Sequence, residues 1–143
     1  MLAPAVNAQE KTPASAYEFI RQNVTDGSWE GEFEQCYSND EDCDYKSGPI
    51  QYVTYQNSTY CHLRFSIKGI NNFPTREIDL TKSFSIQEGS VRGYGIYFVG
   101  PVRSTNGKIL QMWPLFPPSG EIGRRVQAAF EYLQSVCKPA SAW

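Results

Sequence analysis

The sequence lacks several features that mark membrane proteins, metalloproteins and nucleophile-based hydrolases. No apolar run approaches the roughly eighteen residues that a membrane-spanning helix needs. Only one histidine is present, and the spacing between Cys36 and Cys43 exceeds the two to four or so residues typical of a zinc knuckle. The Gly-x-Ser-x-Gly motif of a serine nucleophile does not occur. A spanning helix, a structural zinc site and a serine hydrolase of this kind are therefore not expected.

Positive charge is missing from one segment of the chain. Residues 26–44 contain eight acidic residues and no lysine or arginine, whereas residues 45–143 contain eleven basic residues and five acidic ones. The formal net charge of −2 hides this separation. A separation of charge affects how a protein orients toward its partners and says little about its fold. The basic residues are scattered apart from one arginine pair, so nucleic-acid binding is not expected.

Length and composition are those of a folded domain. Of the 143 residues, 41% are hydrophobic, 14% aromatic and 20% charged, so apolar burial can offset the loss of chain entropy. We expect a single α+β domain over residues 12–138. Residues 1–11 resemble a signal-peptide remnant or a disordered N-terminal tail. Residues 139–143 resemble the start of a streptavidin-binding affinity tag.

The four cysteines predict two disulfides and an oxidising compartment. An even number of cysteines in a small chain with an export-like N-terminus is typical of periplasmic or secreted proteins. Cys61 falls on the core-facing side of a predicted strand, and Cys137 falls on the apolar stripe of the C-terminal helix, so we predict a Cys61–Cys137 bridge. Cys36 and Cys43 would then close the loop between the first two strands.

Two predicted helices flank a run of strands. Ser15 followed by Glu18 indicates a capping box for a helix over residues 12–25, and apolar residues at helical spacing predict an amphipathic helix after Ser119. From residue 28 to 116 the apolar period is two, with turn signals between the runs. We predict about six antiparallel strands in a strongly bent sheet that the C-terminal helix caps. This order of elements resembles that of pleckstrin-homology-like rolls.

The acidic segment is the main candidate for a binding site. Its strand part places three glutamates on one predicted solvent-facing side, a pattern typical of a solvated sheet edge. Acidic side chains beside exposed tyrosines can also dock a basic protein, since tyrosine buries a large area in interfaces. The residues predicted to bind a partner are Glu30, Glu32, Glu34, Asp40, Glu41, Asp42, Asp44 and Tyr45.

The same segment matches the beginning of a calcium-binding loop and then departs from it. Asp40, Asp42 and Asp44 have the spacing of the first ligands. Tyr45 stands where the loop requires glycine, and Gln51 stands where it requires a bidentate acid. We therefore predict no metal and no cofactor, with a weak, non-standard cation site as the alternative.

These observations favour an exported, non-catalytic binding protein. We predict that it docks a protein partner, expected to be basic, through the acidic strand and the disulfide-closed loop, in an inhibitor or immunity-type role. A carrier of a small apolar ligand or lipid, with a pocket between sheet and helix, is the alternative. A third hypothesis is a hydrolase that uses Glu30, Glu32 or His62, although no positioned nucleophile accompanies them.

Overall fold

A computed structural model of the chain describes residues 11–36, 43–57 and 59–138. These residues form two helices and seven strands. The helices are α1 (Pro13–Val24) and α2 (Gly120–Cys137). The strands are β1 (Glu30–Cys36), β2 (Cys43–Gln56), β3 (Thr59–Ile67), β4 (Thr75–Asp79), β5 (Ser85–Gly89), β6 (Gly95–Ser104) and β7 (Ile109–Phe116).

The strands form a closed antiparallel barrel. Six of them pair in the order β4-β3-β2-β1-β7-β6, and a ladder between β4 and β6 closes the ring. The seventh strand, β5, pairs with β6 as an additional strand. The predicted α+β class is confirmed, whereas the bent sheet and the pleckstrin-homology-like roll are not confirmed, because this sheet closes on itself.

The closure depends on a turn inside residues 76–86, a segment that the sequence pattern predicts as one of the six strands. After β4, the Asp79 carboxylate accepts hydrogen bonds from the backbone N–H and the hydroxyl of Thr81, at 3.0 and 2.6 Å. The backbone N–H of Lys82 donates to the Asp79 carbonyl at 2.9 Å. These bonds turn the chain, so that β4 and β5 pair with different parts of β6. Because the turn divides this segment into β4 and β5, the described residues contain seven strands and not the predicted six or so.

One apolar core lies between the barrel and the helices. Its largest members are aromatic: Trp113 lies 5.0 Å from Phe65 and 5.9 Å from Phe98, and Phe130 of α2 lies 4.9 Å from Phe98, between ring centroids. All four side chains are almost completely buried. The apolar face predicted for the C-terminal helix therefore packs on the barrel, as its spacing indicated.

The helix starts agree with the sequence in one case and differ in the other. α2 begins directly after Ser119, as predicted, and Ser119 is its cap residue. The predicted capping box of Ser15 and Glu18 is wrong, because α1 begins one turn earlier. Thr12 is the cap residue, and Ser15 exchanges 3.0 Å hydrogen bonds with it. Glu18 instead forms an ion pair with Arg21.

Both predicted disulfides are confirmed. Cys61 on β3 is bonded to Cys137 at the end of α2, with 5.6 Å between the Cα atoms. Cys36 and Cys43 are bonded across the β1–β2 ladder, with 4.0 Å between the Cα atoms. Two disulfides indicate an oxidising environment, extracellular or periplasmic. Among the described residues, no helix has the length and apolar character needed to cross a membrane.

Several predictions concern residues outside the described ranges. The proposed signal-peptide remnant, apart from Lys11, and the tag-like residues 139–143 lie outside them. Three of the predicted partner-binding residues, Asp40, Glu41 and Asp42, also lie outside the described residues.

Candidate functional site

The first two strands form a hairpin that extends beyond the short ladder between β1 and β7. We call the junction of these two strands the seam of the barrel. β1 pairs with β2 along its whole length, from Glu30–Pro49 to Cys36–Cys43. Within the described part of the chain, β1 pairs with β7 only at Glu30–Phe116 and Gly31–Leu115. The next residue of β7 is Pro114, which has no N–H to contribute to a ladder. From residue 32 onward, β1 therefore has a strand neighbour on one side only. We call residues 30–36 and 43–49 the acidic hairpin.

The acidic hairpin presents part of the predicted charge to solvent. Glu30, Asp44 and Tyr45 are exposed, and Tyr45 keeps 56% of its surface accessible. Glu34 is half-buried. The hydroxyl of Ser47 donates to the Glu30 carboxylate at 3.2 Å. The disulfide lies at the distal end of the ladder, so the hairpin is held by backbone pairing and by a covalent bond.

Glu32 is buried, which corrects the prediction of a fully solvated face. Only 7% of its surface is exposed. The Arg92 guanidinium forms an ion pair and hydrogen bond with its carboxylate, and the Trp113 indole N–H donates to its backbone carbonyl at 2.8 Å. Burial raises the pKa of Glu32 above its usual value, although the positive charges of Arg92 and Arg76 act in the opposite direction. Strand alternation identified a shared face but not the residue that covers it.

Arg92 is held over the hairpin from the loop before β6. Its guanidinium lies 4.1 Å from the centroid of the Tyr45 ring, in a cation–π contact. Its backbone N–H donates to the Tyr97 hydroxyl at 2.8 Å, and that hydroxyl donates to the Gly93 carbonyl at 2.6 Å. Gly93 has a φ of +120°, which favours glycine at this position. The loop therefore places a cation between Glu32 and Tyr45.

A second arginine, which unlike Arg92 is buried, lies behind the hairpin. Arg76 of β4 is 4% exposed and faces the barrel interior with Ile78. Its Nη1 donates to the Thr75 carbonyl at 2.8 Å, but its Nε has no hydrogen-bond partner among the described residues. Burial lowers the pKa of Arg76, while Glu34 and Glu32 raise it. The guanidinium still keeps its charge, because arginine does not deprotonate in proteins.

Two adjoining cavities meet at Arg76. One, of about 280 Å³, lies at the end of the barrel between the last residues of β1, Glu34 and Cys36, and the loops before β4 and β7. We call it the Arg76 cavity. The other, of about 220 Å³, follows the gap between β1 and β7 and is also lined by Glu32 and Arg92. Glu34, Arg76 and Leu110 line both. The open seam between β1 and β7 is therefore a groove lined with charged side chains.

Beside the groove, one group of side chains among the described residues has the spacing of metal ligands. Ligand atoms of Glu34, Cys36 and Cys43 lie within 4.8 Å of one another. Both sulfur atoms belong to the disulfide and are not available as thiolates. Only one carboxylate remains, so this group does not make a cation site.

The residues named for the hydrolase hypothesis do not converge. Glu30 and Glu32 belong to β1 and His62 belongs to β3, with β2 between the two strands. His62 Nε2 lies 3.9 Å from a carboxylate oxygen of Glu77 on β4. His62 is therefore separated from Glu30 and Glu32 by a whole strand, and the three side chains do not form one site.

Sequence reasoning missed both arginines of the site. The alternation of Arg76 with Ile78 was a usable signal, because it puts the arginine on the apolar side of a short strand. No comparable signal existed for Arg92, which lies in a glycine-containing loop sixty residues from Glu32.

Comparison of the chain with protein-family models, curated proteins and solved structures finds no match.

Proposed function

We propose that this chain is an exported, non-catalytic binding protein that docks a protein partner through the acidic hairpin. The observation that carries the proposal is the hairpin itself, which extends past the barrel seam, is closed by its own disulfide and exposes acidic and aromatic side chains. A periplasmic or secreted location fits the two disulfides. An inhibitor or immunity-type role is the form of activity that such a surface suits.

Rigidity supports the docking role. A loop that is ordered before binding loses less conformational entropy when the complex forms. Seven paired positions and the Cys36–Cys43 bond restrict the hairpin before any partner arrives. The six residues that the disulfide encloses, 37–42, include three further acids in the sequence. In the sequence, these acids lie between the two cysteines that the disulfide joins.

The contact residues that we propose differ from the set predicted by sequence. Glu32 is engaged by Arg92 and mostly buried, so it is not proposed as a contact. The exposed residues Glu30, Asp44 and Tyr45 are proposed instead, with half-buried Glu34 at their edge. Their negative charge favours a partner with a basic surface, because complementary charges accelerate diffusional encounter.

The carrier hypothesis receives less support. It requires a pocket between sheet and helix, where Phe65, Phe98, Trp113 and Phe130 fill the space. The resemblance in element order to a pleckstrin-homology-like roll does not favour either the carrier or the docking hypothesis, since a fold does not determine a function.

Charge reversal on the exposed part of the hairpin tests the proposal. A protein captured from the native envelope or secreted fraction is purified, and its association with the wild-type chain and with the double variant Glu30→Lys/Asp44→Lys is measured at several salt concentrations. We expect the variant to associate about tenfold or more slowly at low salt, with a weaker salt dependence. Glu121→Lys/Glu131→Lys, at two exposed positions of α2, reverses the same number of charges and is the matched control, which should retain the wild-type rate. Equal rates for the wild type and the double variant would refute docking through this surface.

A further inference from the structure

We propose that the Arg76 cavity binds a small organic carboxylate, with the guanidinium of Arg76 as the group that receives it. This site is separate from the exposed face of the acidic hairpin, and the proposal does not depend on docking there. It rests on the hydrogen bonding of Arg76, the charges around the cavity and the shape of the cavity.

Arg76 has hydrogen-bonding capacity that the described residues do not use. A guanidinium carries five N–H donors in a planar fork that matches the two oxygens of a carboxylate. The structure pairs Nη1 with the Thr75 carbonyl at 2.8 Å and leaves Nε without a partner among the described residues, on a side chain that is 4% exposed. Buried charged groups are normally paired and hydrogen-bonded. Nε has almost no accessible surface of its own, so an acceptor entering the cavity would bond to the terminal nitrogens of the fork.

The charged residues around the cavity also favour an anionic ligand. Among the described residues that line it, Arg76 and Lys108 carry positive charge and Glu34 carries negative charge, so the positive charges outnumber the negative by one. Glu32, the other acid near Arg76, is bonded to Arg92. Arg92 compensates the Glu32 charge, so Glu34 is the main acid that an anionic ligand would meet beside Arg76 among the described residues.

The size of the cavity and the residues that line it indicate the kind of carboxylate that would fit. Phe73, Pro74 and Leu110 give the cavity an apolar side, and Ser104 and Thr105 lie among its polar residues. Its volume of about 280 Å³ is slightly below the usual range for drug-sized ligands, roughly 300–1,000 Å³. The cavity therefore suits a carboxylate on one small apolar group. A free organic acid and the C-terminal residue of a peptide share this chemistry.

Nuclear magnetic resonance of the arginine Nε–H groups tests the proposal on the intact chain. The probes are isovalerate, benzoate, a tripeptide ending in leucine with a free carboxylate, and the same tripeptide with an amidated end. We expect a saturable shift of the Arg76 resonance with carboxylate ligands and none with the amidated peptide. Saturation by the free acids identifies a small-acid site, and saturation by the carboxylate peptide alone identifies a chain-terminus site. No shift of Arg76 with any carboxylate probe would overturn the proposal.

Two variants and one control assign the effect to Arg76. Arg76→Gln should weaken binding by at least about tenfold, since it removes a charge-assisted, two-oxygen contact. Arg103→Gln, at an exposed position on β6, is the control and should bind like the wild type. If Arg76→Gln does not fold, Glu34→Gln decides the question. That variant removes the negative charge beside the ligand and should tighten carboxylate binding several-fold, and unchanged or weaker binding would contradict the proposal.

Discussion

The two disulfides should contribute unequally to stability, and the smaller contribution should belong to the bridge in the acidic hairpin. The bridges span sequence separations of 76 for Cys61–Cys137 and 7 for Cys36–Cys43. In the chain-entropy account, a cross-link stabilises the folded state by restricting the unfolded chain, and the effect grows with the logarithm of the loop length. The separations give about 4.5 kcal/mol for the long bridge and about 2.4 kcal/mol for the short one.

Two double variants, each replacing both cysteines of one bridge by alanine, measure the difference in stability between the bridges. Cys61→Ala/Cys137→Ala should lower the free energy of unfolding by about 2 kcal/mol more than Cys36→Ala/Cys43→Ala does. Alanine avoids placing a serine hydroxyl next to the core, where Cys137 is 8% exposed. Urea unfolding, with the slope against denaturant checked for each variant, gives both values. The hairpin variant should keep the far-ultraviolet circular dichroism of the wild type, because its bridge lies outside the core.

An equal or larger loss in the hairpin variant would refute this reasoning. It would mean that the Cys36–Cys43 bridge supports the barrel rather than the hairpin alone. The wild type, unfolded under the same conditions, is the reference for both pairs.

Two further predictions concern the Arg92 loop and the residues that hold it. The raised pKa of Glu32 means that the folded state binds its proton more tightly than the unfolded state does. Its contribution to stability should be complete below the ordinary pKa of glutamate and should decrease as the pH rises through the raised value. The unfolding free energy of the wild type relative to Glu32→Gln should therefore fall as the pH rises from about 4 toward neutrality, and a relative rise in urea titrations would contradict the burial of this carboxylate. Tyr97→Phe should cost about 1–3 kcal/mol in the same assay, because it removes the hydroxyl that joins Arg92 to Gly93. Tyr55→Phe, at a tyrosine that is 44% exposed, should stay within about 0.5 kcal/mol of the wild type.

Local pattern was sufficient for the disulfides and for the C-terminal helix of this chain. Cys61 shares a strand face with apolar residues, and Cys137 lies on the stripe that must cover them, so one pairing followed from two periodicities. The start of α2 followed from Ser119 and the apolar spacing. These features depend on neighbours within a few residues, which a single sequence displays.

The closure of the barrel and the burial of Glu32 could not be predicted in the same way. Closure requires β4 to pair with β6, which depends on the turn that Asp79 stabilises and on the curvature of the whole sheet. Glu32 is covered by Arg92, sixty residues along the chain. A period of two indicates which side chains share a face, but contacts from distant segments decide whether that face meets solvent.

The central claim is that the exposed acids of the hairpin guide a partner to this protein. The most direct test is the association rate of the purified partner with the wild type and with Glu30→Lys/Asp44→Lys, measured at low and high salt. We expect a rate at least about tenfold lower for the variant at low salt and a difference that narrows as salt screens the charges. A variant that associates at the wild-type rate in both conditions would contradict the claim.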